Sequence, residues 1–238
     1  MIGASELWVS YGALRVLLGV NLAFERGETV GIVGPNGAGK TTFLHALAGS
    51  LKPSSGAVYL DGLNITRLDA AARCRLGIAR AHQIPRPFEG MTVFENVLVA
   101  ATMGGRLKGS QANQAGLDTL ALCGLLQAGD RRASTLGLLD RKRLELARAL
   151  ATNPSVLLLD EIGAGLTDEE ANGLVRTIQE IRHQDLVIVW IEHIVHVLMQ
   201  VVSRMIAMDT GRVIADGEPS EVMADARVID AYLGGSQR

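Results

Sequence analysis

The chain reads as an α/β fold with an antiparallel β part at its N-terminus and a helical subdomain inserted in the middle. Three observations predict this. Over 155–202, strand-length apolar runs alternate with helix-length segments: SVLLLD, DEEANGLVRTIQEIRH (168–183), DLVIVWIE and IVHVLMQVV. Such alternation builds a mostly parallel sheet covered on both faces. The beginning reads instead as consecutive strands, ELWVSY, VLLGVNLAF and ETVGIVG. Residues 84–150 open with a proline-rich loop, IPRPFEG, and continue with helical spacing and no clear strand.

In chain order, ETVGIVG leads to a helix expected from Lys40 to Gly49, then a strand, AVYL, at 57–60. The helical subdomain is assigned to 84–150 within one domain spanning 1–238. Inside it MGGRLKGSQANQ (103–114) reads as a flexible loop, being rich in glycine and polar residues. A strong amphipathic helix starts at Arg141 in RKRLELARAL, with Leu138 and Leu139 in a short loop before it. RMIAMD and RVIADG form a closing hairpin around Thr210 and Gly211, and a last helix, SEVMADARVIDAYL, ends before Gly234 and Gly235.

Bulk properties narrow the class. With 238 residues and 48% hydrophobic content the chain can bury a sizeable core. A net charge of −2 and the lack of a long Lys/Arg run argue against a nucleic-acid partner. Cys74 and Cys123 lie far apart without metal-ligand spacing, as expected of free thiols in a reducing cytosol. The opening MIGASELWVSYG has no basic segment followed by an apolar core, so no signal peptide is expected. The most apolar run, 186–202, is short for a membrane span and carries Glu192, His193 and His196.

The strongest chemical signal is GPNGAGKTT: Gly34, Pro35, Asn36, Gly37, Ala38, Gly39, Lys40, Thr41 and Thr42. It follows the apolar strand TVGIV and precedes FLHALAG, which has helical spacing. This is the strand–loop–helix setting of a phosphate-binding P-loop. Glycines let the backbone wrap so that several N–H groups face a β-phosphate. Lys40 is placed to neutralise β/γ oxygens, and the Thr41 hydroxyl to hold Mg²⁺. ATP and Mg²⁺ are the expected ligands. The second signal is VLLLDE, a buried strand ending in two carboxylates, which is costly unless a cation meets them. Asp160 is expected to take the metal, through water, and Glu161 to orient or deprotonate an attacking water. His193 follows an apolar strand at the end of the sheet where α/β ligands bind. Its position fits either a hydrogen bond to a γ-phosphate or a partly buried histidine satisfied by backbone.

Together these motifs resemble the nucleotide-binding subunits of ABC transporters, over nearly the whole chain, and within them the ATPases of branched-chain amino acid (Liv-type) importers. MTVFENVLVAA (91–101), RKRLELARALATNP (141–154) and DGEPSEVMADARVIDAYLGG (216–235) carry the narrower likeness. The resemblance implies further roles. Tyr11 matches the aromatic that stacks on adenine. Gln83 matches the glutamine that reaches the metal and attacking water and links to the helical subdomain. His193 matches the switch histidine, and the IPRPFEG loop matches the place where a permease helix is received. It also implies transmembrane permease subunits, a second ABC ATPase subunit, a periplasmic binding protein acting indirectly, and a place on the cytoplasmic face of the membrane. A branched-chain amino acid or related polar molecule is the implied cargo. The alternatives are an exporter-type ATPase or a non-transport nucleotide-gated switch.

Three motifs depart from the family pattern. The L-S-G-G-Q signature, which closes on the partner's ATP, reads here Leu136, Gly137, Leu138, Leu139 and Asp140. The residue after Glu161 is Ile162 rather than proline, and the GL loop ends in Thr167 rather than an acidic or amide residue. A leucine at 139 adds bulk at the phosphate and, if the loop needs φ > 0 there, about 1–2 kcal/mol of strain. The expected result is an intact ATP-binding half with a degraded signature, in a homodimer or beside a related subunit with an intact signature.

Overall fold

The computed structural model describes residues 1–182 and 185–234. Two long strands, β1 (Ile2–Tyr11) and β2 (Leu14–Phe24), open the chain as a hairpin, and β3 (Thr29–Val33) leads into α1 (Lys40–Ala48). A short meander follows, β4 (Ser55–Leu60) and β5 (Leu63–Asn64), then α2 (Ala70–Arg75) and β6 (Ile78–Ala81). Three helices come next: α3 (Val93–Met103), α4 (Gly109–Leu122) and α5 (Leu138–Leu150). The chain then alternates through β7 (Val156–Asp160), α6 (Asp168–Ile181), β8 (Val187–Ile191), α7 (Val195–Leu198) and β9 (Arg204–Asp209). It closes with β10 (Arg212–Gly217), α8 (Pro219–Ala224) and α9 (Ala226–Gly234).

The strands form two sheets. One is antiparallel, in the order β2-β1-β4-β5; the other runs β10-β9-β3-β8-β7-β6. In the second, β6, β7, β8, β3 and β9 are parallel and β10 returns antiparallel to β9. Strands β3, β7 and β8 are buried along their whole length, as strands covered on both faces must be. Their side chains sort by parity. Val156, Leu158, Val189 and Ile191 face the core shared with α1 and the antiparallel sheet. Leu157, Leu159, Ile188 and Trp190 face the core shared with α3, α5 and α6. The carboxyl ends of β3, β7 and β8 thus point to one edge between two packed layers, the usual ligand side of an open α/β sheet.

Several expectations are corrected. The segment 103–114 is not all loop, because α4 begins at Gly109. Its buried face is Ala112, Gly116 and Leu120, and a Cβ on Gly116 would sit 3.1 Å from the Phe94 ring of α3. Small residues that permit close helix packing look like loop composition. The predicted helix over 194–202 is regular only at α7. The last helix divides at Asp225, whose carboxylate accepts the Arg227 N–H at 2.8 Å and so starts α9 afresh. Residue 183, at the end of the predicted 168–183 helix, lies outside the described residues.

Arg73 of α2 is fully buried and holds this layer together. Its Nη1 donates to the Ala46 and Leu47 carbonyls at 2.6 and 2.8 Å, at the C-terminal end of α1. Nε and Nη2 donate to Leu68 and Thr66 carbonyls, both at 3.1 Å. A cation there satisfies open carbonyls and opposes the negative end of the helix dipole. Arg73→Ala leaves four carbonyls, two buried and two part-buried, without this donor and opens a cavity. We expect a loss of about 3 kcal/mol, seen by calorimetry as a fall in Tm of roughly 6–12 °C.

Candidate functional site

Between β3 and α1 the backbone wraps through left-handed conformations at Gly37 (φ 83°) and Gly39 (φ 99°), and Gly39 caps α1 without a side-chain hydrogen bond. Gly34 (φ 144°) is required for a different reason: a Cβ there would meet the Met208 carbonyl at 2.0 Å. The loop encloses a cavity of about 160 Å³ lined by Asn36, Lys40, Thr41, Thr42 and Glu161 among others. Pro35 and Ala38 lie in the same turn, where the Ala38 N–H bonds the Pro35 carbonyl at 3.2 Å. Lys40, 5% exposed, donates from Nζ to the Gly34 and Pro35 carbonyls at 2.6 and 3.0 Å. Burial lowers its pKa, with Glu161 and Asp160 pulling the other way.

The two carboxylates at the end of β7 diverge. Asp160, 2% exposed, accepts from Thr41 Oγ1 at 3.3 Å and from Arg80 Nη2 at 2.7 Å. Arg80 Nη2 also lies 2.6 Å from His45 Nε2. A guanidinium only donates, so His45 Nε2 is the acceptor; burial and then Arg80 lower the His45 pKa, keeping the ring neutral. Glu161 turns the opposite way through a left-handed backbone (φ 47°) with its N–H on the Ile191 carbonyl at 2.9 Å. Its Oε2 accepts from Gln83 Nε2 at 2.6 Å and its Oε1 lies 2.8 Å from His193 Nε2.

The molecule therefore brings Lys40, Thr41, Asp160, Glu161, Gln83 and His193 together around the loop. Tyr11, at the β1–β2 turn, is half exposed and does not line the cavity. Two participants escape a reading of the sequence. Arg80 sits in β6, a short strand with no motif. Glu192 is 1% exposed, and its Oε1 accepts the Gly163 N–H at 2.6 Å while Oε2 accepts the His193 N–H at 3.3 Å. A signal for Glu192 is present: a carboxylate at the end of an otherwise apolar strand needs buried donors.

Residues 17–164 match the ABC transporter family, and residues 212–237 match a branched-chain amino acid ATP-binding cassette transporter family. The chain belongs to the ABC transporter family. The high-affinity branched-chain amino acid transport ATP-binding protein LivG of Escherichia coli (strain K12) is 36% identical over 98% of both chains. BraF of Pseudomonas aeruginosa, named for the same transport, is 33% identical over 98% of both. LptB of Haemophilus influenzae, named for lipopolysaccharide export, is 31% identical over 98% of this chain and 97% of its own. Among solved structures, the ADP conformation of an ABC transporter's ATP-binding cassette matches with a TM-score of 0.90 at 28% identity, covering 98% of both chains.

In this cassette the degenerate signature is ordered differently from the expectation. Leu138 and Leu139 are not loop residues; they form the first turn of α5, and Gly137 is its N-cap (φ −69°, ψ 174°) with no side-chain hydrogen bond. Neither leucine has a positive φ, so the conditional strain cost at Leu139 does not arise. What changes is surface: Leu138 is half exposed, and Asp140 places a carboxylate in the first turn. The other two departures are absorbed by packing and capping. Ile162 is buried, and Thr167 caps α6 in a reciprocal pair with Glu170.

Glu192 gives a pH test. Burial raises its pKa, against the two backbone N–H groups it accepts. A raised folded-state pKa contributes stability below the unfolded carboxylate value that is lost as pH rises through the folded one. The Glu192→Gln side chain cannot titrate. In urea unfolding of both proteins across acid to neutral pH, the stability difference should move in favour of the Glu192→Gln variant as pH rises; a constant difference would contradict the assignment.

Proposed function

We propose that this chain is the ATP-binding and ATP-hydrolysing subunit of an ABC importer, driving uptake of branched-chain amino acids or related polar small molecules through a separate permease. The observation that carries it is the convergence of Gln83, His193 and Asp160–Glu161 on the Lys40–Thr41 end of the phosphate loop. The names of the LivG and BraF relatives support the class of cargo.

The loop N–H groups and the α1 N-terminus bind the β-phosphate, and Lys40 neutralises β/γ oxygens. Thr41 and Asp160 fit Mg²⁺. They offer two oxygens 3.3 Å apart, and this ion takes one or two protein oxygens and completes its shell with water and phosphate. Among the described residues no cluster of three or more His, Cys, Asp or Glu competes for that role. Bound there, Mg²⁺ supplies charge neutralisation at the transferring phosphoryl group. Gln83, whose amide N–H donates to Glu161, would help hold that metal and the attacking water. Glu161, held from both sides by Gln83 and His193, orients and deprotonates the attacking water. His193 then serves the γ-phosphate, and Tyr11 stacks on adenine.

The Gln83 loop is pinned for transmission. Arg148 of α5 donates to the Arg86 carbonyl at 2.8 Å and lies 5.0 Å over the Phe88 ring. Asn96 of α3 exchanges hydrogen bonds with the Phe88 backbone at 2.8 and 3.1 Å. Beside the loop a groove of about 420 Å³ runs between α2–β6 and α3–α5, with Phe88 and Met103 exposed at its edge. We assign this groove, where the 84–150 helical subdomain meets α2 and β6, to a cytoplasmic helix of the permease. No helix among the described residues is long and apolar enough to cross a membrane. The chain then works as a peripheral subunit on the cytoplasmic face, with the periplasmic binding protein acting only through the permease.

The α5 N-terminus favours asymmetry. Bulky Leu138 and anionic Asp140 stand where the family presents small and amide residues to the partner's γ-phosphate, and a carboxylate there repels it. One good site then needs this chain's Lys40 and Glu161 with a partner's intact signature.

Purified chain should hydrolyse ATP in a Lys40-dependent manner, weakly if the asymmetric arrangement holds. Glu161→Gln should keep ATP binding while turnover falls by about 10²–10⁴; undiminished hydrolysis removes Glu161 from its role. Co-expression with a glycine-signature partner should raise turnover per intact site. Equal specific activity with and without the partner rules the asymmetry out.

A further inference from the structure

The first residue of the phosphate loop is gripped by the last helix of the chain. The Gly34 N–H donates to the Tyr232 hydroxyl of α9 at 2.8 Å, across 198 residues of sequence. The carbonyl of that same glycine accepts Lys40 Nζ at 2.6 Å. Its Cα presses on β9, where a Cβ would strike the Met208 carbonyl at 2.0 Å. Gly34 therefore has its N–H fixed by α9, its carbonyl fixed on the phosphate-binding lysine, and no room to shift sideways. A second hold comes from the β9–β10 turn, where the Gly211 N–H donates to the Ala38 carbonyl at 3.0 Å. The C-terminal segment thus embraces the loop at both ends. α9 itself is seated by Val228, 1% exposed, in the core that also contains Ala215 of β10 and Val222 of α8. Tyr232 stays 37% exposed, so the hydroxyl contact and not deep ring burial is its specific link to the loop.

We propose that Tyr232 is a positioning residue for the phosphate loop, and that docking of α9 sets the loop's affinity for ATP. The inference rests on the ATP-site reading above. Removing the hydroxyl frees Gly34, and through its carbonyl loosens the rest position of Lys40, while leaving Asp160 and Glu161 untouched. The consequence is a loss in nucleotide binding with chemistry preserved at saturation.

The test uses the full chain, with ATP as the ligand, in four forms: wild type, Tyr232→Phe, Val228→Asp and Lys40→Ala. Tyr232→Phe keeps the ring and loses only the hydroxyl. We expect its Kd and KM for ATP to rise roughly three- to tenfold, as for loss of one backbone hydrogen bond, with kcat nearly unchanged. The Gly34 amide, followed by NMR, should exchange faster in this variant while Tm holds. Val228→Asp unseats α9 without touching Tyr232 and should weaken ATP binding in the same direction. Wild-type affinity and unchanged Gly34 exchange in Tyr232→Phe overturn the proposal, as does wild-type affinity in Val228→Asp. If the wild-type chain binds ATP no better than Lys40→Ala, the ATP-site reading itself fails, and the inference falls with it.

Discussion

A carboxylate that is only 2% exposed must be met by donors or a cation, and at Asp160 that demand organises the molecule. Its donors come from different elements: Thr41 from the start of α1, Arg80 from β6. Arg80 in turn reaches His45, a turn further along α1. One buried charge therefore sets the distance between the phosphate loop, the central strand and the edge strand from which the Gln83 loop departs. Glu161 is adjacent in sequence but turned the other way, so two neighbouring carboxylates serve two different sets of partners.

Helix α1 carries the same logic along its axis. Its N-terminal end, at Gly39, is left without a side-chain cap and faces the loop cavity. Its C-terminal end is closed by Arg73, whose guanidinium takes the Ala46 and Leu47 carbonyls. The helix is thus held by its negative end while its positive end is kept for an anion. In α5 the arrangement is reversed in effect: the N-terminus is uncapped there too, yet Leu138 and Asp140 dress it with an apolar side chain and a negative charge. The two helix N-termini thus differ: one is bare toward a phosphate-sized cavity, the other carries an apolar side chain and a carboxylate paired with Arg143 at 3.4 Å.

Much of this is legible in the residues. The loop Gly34–Thr42, the strand ending in Asp160–Glu161 and the alternating apolar runs each state a local rule, and the structure obeys them. What stays hidden depends on distant partners. β6 is four residues long, and Arg80 within it has meaning only once Asp160 and His45 are placed beside it. Arg73 looks like a surface arginine on a short helix until the end of α1 is seen under it. α4 hides its packing face in Ala112 and Gly116, small residues that resemble a loop. The first turn of α5 is masked because a glycine ahead of two leucines suggests an irregular loop, whereas Gly137 serves as an N-cap. Tyr232 and Gly34 share no local pattern at all.

Glu161 holds a left-handed backbone conformation that a residue with a Cβ adopts at a cost of about 1–2 kcal/mol. Glycine would relieve that cost and asparagine would reduce it, but neither keeps the carboxylate between Gln83 and His193. The position is a point where durability and turnover pull in opposite directions. A chain selected only to survive heat would gain by replacing Glu161, and, on the role proposed for that carboxylate, the tougher protein would be a poorer motor.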